Sequence, residues 1–263
     1  MEWQTKEILV LVKAYPNPSQ TYGETVCTAG ITKNREWIRL YPVTFRDLKP
    51  EKQYKKFEWI RVQITKASEK LQRPESYKLN PDTIEKIGYI PSGDKYIGER
   101  EKYFQPMVSE NLETLEEKRD KKTLSLGAFK PSKVQDFVIE KGESSWSKKQ
   151  TDSLNQGLLY NTKKTVLEKI PYNFKYKFQC NNKDCNGHTI SIIDWEICEA
   201  YRNFSRIYSS ENEALSKLKD KYLNYFFKER NSYFIVGTES HFNRFLILSV
   251  YSTKKDYQPL LNF

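Results

Sequence analysis

Four short apolar segments fall within the first 66 residues, and no helical period separates them. Residues 7–15 read Glu-Ile-Leu-Val-Leu-Val-Lys-Ala-Tyr and residues 24–31 Glu-Thr-Val-Cys-Thr-Ala-Gly-Ile. Residues 36–43 read Glu-Trp-Ile-Arg-Leu-Tyr-Pro-Val, and 57–66 alternate more cleanly as Phe-Glu-Trp-Ile-Arg-Val-Gln-Ile-Thr-Lys. Each has a strand's length, and Pro16-Asn17-Pro18-Ser19 breaks the first from the second. Successive strands without intervening helices predict a small antiparallel barrel or sandwich.

The rest of the chain mixes the two periods. Residues 73–107 are rich in Pro, Gly and Tyr and predict long loops around short strands. A helix is expected from Ser109 to about Lys122. Glu110, Glu113, Glu116 and Glu117 fill its early turns, and Lys118, Arg119, Lys121 and Lys122 its last, an order that complements the helix dipole. Val134–Ile139 reads as a strand, and the polar run 141–156 as a linker or mobile loop. That places a β-barrel domain at 1–140 and a smaller α+β domain at 157–263. In the latter, strands are expected at Tyr172–Cys180 and Thr189–Trp195, and a hairpin from Tyr233–Val236 and Phe245–Tyr251. Ser210-x-x-Glu213 is a capping box, opening a helix with Leu215, Leu218, Tyr222 and Phe226 on one face.

Charge points to a partner. Lys and Arg number 44 against 34 acidic residues, a net charge of +10, and such a balance attracts polyanions, nucleic acid above all. The sequence Glu-Trp-Ile-Arg occurs at 36–39 and again at 58–61. On a strand, Trp37, Arg39 and Tyr41 share one face and Ile38 and Leu40 the other; in the second copy Trp59 and Arg61 lie opposite Ile60 and Val62. Faces of Trp and Arg suit base stacking and phosphate pairing, with Lys13 and Arg46 close by in sequence. The alternative is that both rings are buried under loops or the other domain.

The run Glu24-Thr-Val-Cys-Thr-Ala-Gly-Ile followed by Glu36-Trp-Ile-Arg-Leu-Tyr-Pro-Val resembles the start of bacterial dual-OB-containing domain proteins; here Leu40-Tyr41 separates Arg39 from Pro42. The resemblance spans about 40 residues. It implies an oligonucleotide-binding (OB) type of barrel and a role as an accessory component of a bacterial defence or mobile-element system, but no reaction. The expected class is therefore α+β and β-rich, an N-terminal OB-like antiparallel β-barrel followed by an α+β part with a Cys/His hairpin.

That hairpin carries Cys180-x4-Cys185-x2-His188, with Asn186-Gly187 for a tight turn. Three ligands of this kind predict a structural zinc site, which needs a fourth; Cys198 is the nearest candidate and His241 its rival. Cys27, inside a strand, reads as core. Ile193-Asp194-Trp195-Glu196 could aim two carboxylates to one side of a strand, and with His188 as base would form a Mg²⁺-dependent nuclease. The competing reading is a pair of solvated carboxylates at a strand end, one capping a helix. No apolar run approaches the roughly 20 residues of a membrane span, and the charged start lacks the pattern of a signal peptide. Four cysteines fit a reducing cytoplasm. The expected function is nucleic-acid binding, with a nuclease or a structural subunit bound to a protein partner as alternatives.

Overall fold

The structure, a computed structural model, describes residues 2–67, 73–160, 164–239 and 243–255. In chain order the elements are strands β1 (Gln4–Lys13), β2 (Asn17–Ser19), β3 (Gly23–Ile31), β4 (Trp37–Val43), β5 (Glu58–Lys66), β6 (Ser76–Leu79) and β7 (Glu85–Tyr89). Then come helix α1 (Ile97–Phe104), β8 (Val108–Ser109), α2 (Leu112–Asp120), β9 (Leu126–Phe129), β10 (Lys133–Lys141) and α3 (Lys148–Tyr160). β11 (Tyr172–Gln179), β12 (His188–Ile192), α4 (Trp195–Ile207) and α5 (Glu211–Lys219) follow, then a π-helical stretch (Asp220–Glu229), β13 (Arg230–Thr238) and β14 (Phe245–Lys254).

These elements form two compact units. One takes Met1–Leu71, Glu75–Tyr89 and Glu140–Asn173; the other takes Gln72–Pro74, Ile90–Ile139 and Phe174–Phe263.

In the first unit, Ile8–Val12 of β1 are buried on both faces, as their unbroken apolar run requires. β1 pairs antiparallel with β3 (Leu9 to Ile31) and with β5 (Ile8 to Ile60). β3 pairs antiparallel with β4, β4 runs parallel to β6 (Leu40 to Tyr77), and β6 returns to β5 (Ile64 to Leu79). The ring β1-β3-β4-β6-β5-β1 is a closed five-stranded barrel, a Greek-key arrangement of the OB type. The close approach of β1 and β3 depends on Gly30, where a Cβ would lie 2.3 Å from the Leu9 carbonyl oxygen.

α3 packs on β2 and β3 of this barrel. The approach is backbone to backbone: a Cβ on Gly23, whose φ is +71°, would lie 2.7 Å from Gly157 Cα. The chain after α3 is tied down by ions. Lys164 Nζ lies 3.2 Å from Glu24 and 2.8 Å from Asp47, and Arg46 donates to the other Glu24 oxygen at 3.0 Å. Tyr15 Oη donates to the Glu168 carbonyl at 2.6 Å. Every residue of β3 except Cys27 is buried. The polar run 141–156 is thus not only linker: from Lys148 it is helix, started by Ser147 and Gln150, each side chain of which meets the other residue's backbone N–H. The stretch 73–107 likewise contains β6, β7 and α1 as well as loops.

The second unit holds a sheet in the order β10-β11-β12-β14-β13-β9-β8 with helices beside it. Its core is aromatic. Phe234 has ring centroids within 6 Å of those of Phe129, Tyr176, Phe178 and Phe227, and Tyr176 Oη donates to the Tyr222 carbonyl at 2.9 Å. The expected β13–β14 hairpin pairs from Arg230–Lys254 to Thr238–Phe245, and the Ser210 hydroxyl caps α5 by accepting from the Glu213 N–H. The expected strand 189–195 stops at Ile192, because Asp194 turns the chain into α4.

Candidate metal centre and barrel surface

β11 and β12 pair from Phe174–Ile192 to Phe178–His188, so Cys180 leaves one strand as His188 enters the next. The turn between them is held locally. The Cys185 N–H donates to the Asn182 carbonyl at 3.1 Å, and Gly187 takes φ +92°, which few side chains tolerate. Cys185 Sγ comes 3.3 Å from His188 Nε2 and accepts from the Cys180 N–H at 3.3 Å. The imidazole stacks on Phe178, with centroids 5.1 Å apart.

The fourth side chain comes from α2. Asn111 caps that helix, accepting from the Thr114 N–H, and so fixes the first turn. From it Glu113 Oε1 reaches His188 Nε2 at 3.1 Å. One donor atom from each of Glu113, Cys180, Cys185 and His188 lies within 4.8 Å of the other three. Metal bonds of about 2.0–2.3 Å at tetrahedral angles need donors about 3.3–3.8 Å apart, so the four need only small shifts to surround one ion.

The electrostatics also suit a cation. Burial pushes the Cys180 thiol up to about 12, and the neighbouring Glu113 and Cys185 add to this. Burial also acts to raise the Glu113 carboxyl. Its own backbone N–H, the Cys180 thiol and His188 outweigh that and hold it below the ordinary carboxylate value. Its second oxygen, Oε2, is buried without a hydrogen-bond partner. Two thiols, an imidazole and a carboxylate form a donor set that can coordinate a metal ion.

Of the ligands expected from the sequence, Cys180, Cys185 and His188 come together. Cys198 does not join them; it lies on the buried face of α4, where burial pushes its thiol up. His241 lies outside the described residues. Glu113 was legible only as an early-turn helix acid.

Asp194, Glu196 and His188 do not converge. Asp194 is buried, its two oxygens accepting from the Glu196 N–H and the Ser249 hydroxyl at 2.9 Å each. It is therefore a helix cap, though not a solvated one, and Glu196 is exposed in the first turn of α4.

On the barrel, Trp37 and Trp59 are each only 8% exposed and Arg39 4%. Arg61 is exposed and paired with Glu7 and Glu85, both at 2.9 Å. Arg46 holds Glu24, and Lys13 donates to the Tyr54 carbonyl at 3.2 Å above the Phe45 ring. Tyr41, by contrast, is 48% exposed.

The barrel and the Cys/His/Glu cluster thus define a two-part protein, an OB-like β-barrel followed by an α+β region with a potential metal site. The chain belongs to the family described as "Domain of unknown function (DUF8757)", whose model matches residues 108–262. The model of "Domain of unknown function (DUF8758)" matches residues 4–106. Comparison with curated proteins gives no match. Among solved structures, the chain is similar to one described as "Structure of murine DNA binding protein bound with ds DNA", at 9% identity and a TM-score of 0.32 over 98% of each chain. At that level the likeness bears on neither fold detail nor function. Among the described residues, no helix is long and apolar enough to cross a membrane.

Proposed function

We propose that this is a nucleic-acid-binding protein whose second unit is stapled by a structural zinc ion. The closed OB-order barrel in a chain of net charge +10 is the observation that carries the reading. The zinc would be held by Cys180, Cys185, His188 and Glu113, because two thiolates with an imidazole select a borderline-soft ion over Mg²⁺ or Ca²⁺. The resemblance of the first strands to dual-OB-containing domain proteins supports an accessory role in a bacterial defence or mobile-element system. The capped and buried Asp194 gives no support to the nuclease alternative. The test is binding of labelled single- and double-stranded DNA and RNA across a salt series. Affinity falling steeply with salt, with intact substrate, is the expected result. No binding at 50 mM salt would refute it.

A further inference from the structure

The face that OB barrels commonly offer to an oligonucleotide is the sheet of their second and third strands with the adjoining loops. Here those strands are β3 and β4. β3 is buried along nearly its whole length, and α3 and the chain that follows it pack on its Gly23–Glu24 end, so this part of the face is already occupied by the protein itself. A strand of nucleic acid needs another place on the barrel.

One place carries the necessary chemistry. β4 and β6 run parallel, and beyond their last registered pair, Leu40 with Tyr77, the next residues are Tyr41 and Lys78. At this end of the two strands lies a cavity of about 180 Å³ lined by Tyr22, Pro42, Val43, Thr44, Lys78 and Leu79. Tyr22, at the tip of the β2–β3 hairpin, is 46% exposed, and Tyr41, next to the lining residue Pro42, is 48% exposed. Of the half-exposed aromatic side chains described in this unit, Trp3, Tyr22, Tyr41 and Tyr89, Tyr22 lines the cavity and Tyr41 neighbours it in the chain. Among the described residues, Lys78 is the charged side chain of the lining and no carboxylate belongs to it. The volume is below the roughly 300–1,000 Å³ that encloses a whole drug-sized ligand. It suits one ring system with its phosphate outside.

We infer that the cleft lined by Tyr22 and Lys78, with Tyr41 next in the chain to its lining residue Pro42, is a single-stranded nucleic-acid subsite, the tyrosines stacking on bases and Lys78 pairing with a phosphate. This rests on the nucleic-acid reading above and adds the place and the strandedness. Stacking on an aromatic ring is tolerant of sequence, and truncating one such ring weakens binding by about 5- to 150-fold. Duplex bases keep their faces stacked on one another and offer nothing to a tyrosine.

The experiment measures anisotropy of fluorescein-labelled oligo-dT and oligo-rU, with a duplex of the same length as control, on the full chain and its variants. Tyr22→Ala and Tyr41→Ala are each expected to weaken single-strand binding about 10-fold or more. Tyr22→Phe and Tyr41→Phe should keep it, and Lys78→Glu should lower the slope of log affinity against log salt by about 1. The dT and rU arms separate DNA from RNA as the source of the base. Since the Ala variants could lose binding by misfolding, photocrosslinking of 5-iodouridine oligonucleotides to the unmutated protein is read in parallel, with labelled peptides expected to contain Tyr22 or Tyr41. If the unmutated protein binds single strands but the variants bind equally well and the crosslinks fall elsewhere, the subsite is wrong and the nucleic-acid reading survives. If the unmutated protein binds no nucleic acid at low salt, both fall.

Discussion

Replacing Glu113 by Ala tests the proposed metal centre most sharply, because among the described residues it is the one long-range candidate ligand. Cys180, Cys185 and His188 alone would close a loop of nine residues; adding Glu113 closes one of 68. By the chain-entropy relation for cross-links, the shorter closure stabilises by about 2.6 kcal/mol and the longer by about 4.4 kcal/mol. Because the second closure adds to the first, loss of Glu113 should remove about 4 kcal/mol of metal-dependent stability even where zinc stays on the other three ligands. For a unit of roughly 150 residues this is a shift of about 8–16 °C in midpoint. The assay is thermal unfolding with saturating zinc and with a chelator, for the unmutated protein, Glu113→Ala, Cys185→Ser and Cys198→Ser. Cys185→Ser should abolish the zinc-dependent gap, Glu113→Ala should narrow it, and Cys198→Ser should leave it intact. An unchanged gap in Glu113→Ala, or its loss in Cys198→Ser, would refute the assignment of the fourth ligand.

Three further outcomes follow from the geometry. Gly30→Ala should destabilise the barrel by about 3 kcal/mol in urea unfolding, since the new Cβ meets the Leu9 carbonyl at 2.3 Å. Trp59→Ala should cost about 3–5 kcal/mol of stability but leave single-strand affinity unchanged where the variant remains folded, because the ring is only 8% exposed. Glu101 is raised above the ordinary carboxylate value, chiefly by burial and against hydrogen bonds from Tyr251 and Gln105. The folded state thus holds this proton more tightly than the unfolded chain, so the associated stability is full below the unfolded pKa and is lost as pH rises through the folded one. Unfolding free energies measured from pH 4 upward should fall more for the unmutated protein than for Glu101→Gln; parallel profiles would contradict this.

The strands were legible because burial imposes a period of two or an unbroken apolar run, and β1, β3, β4 and β5 begin and end within three residues of their expected limits. Alternation could separate Trp37 from Ile38, but it cannot say whether the second face is also covered; at Gly23 of β3 the cover comes from Gly157, more than 100 positions later. α3 carried its own sign, the Ser147-x-x-Gln150 box, within a run whose polarity otherwise resembled a linker. The metal triplet stood out because its members are close in the chain. Glu113 did not, since nothing local distinguishes it from Glu110 or Glu116, and only the fold brings α2 to the β11–β12 turn.

The cover on β3 also sets a timetable for synthesis. The barrel strands are complete once Tyr89 has emerged, yet the segment that shields them ends at Asn173. At about 5–20 residues per second the ribosome needs roughly 4–17 s to deliver it. During that interval the backbone at Gly23 and the carboxylate of Glu24 face water or whatever else is near. A nascent chain halted or cleaved before residue 140 would therefore carry the barrel strands without this cover, and a different appetite for partners than the finished protein.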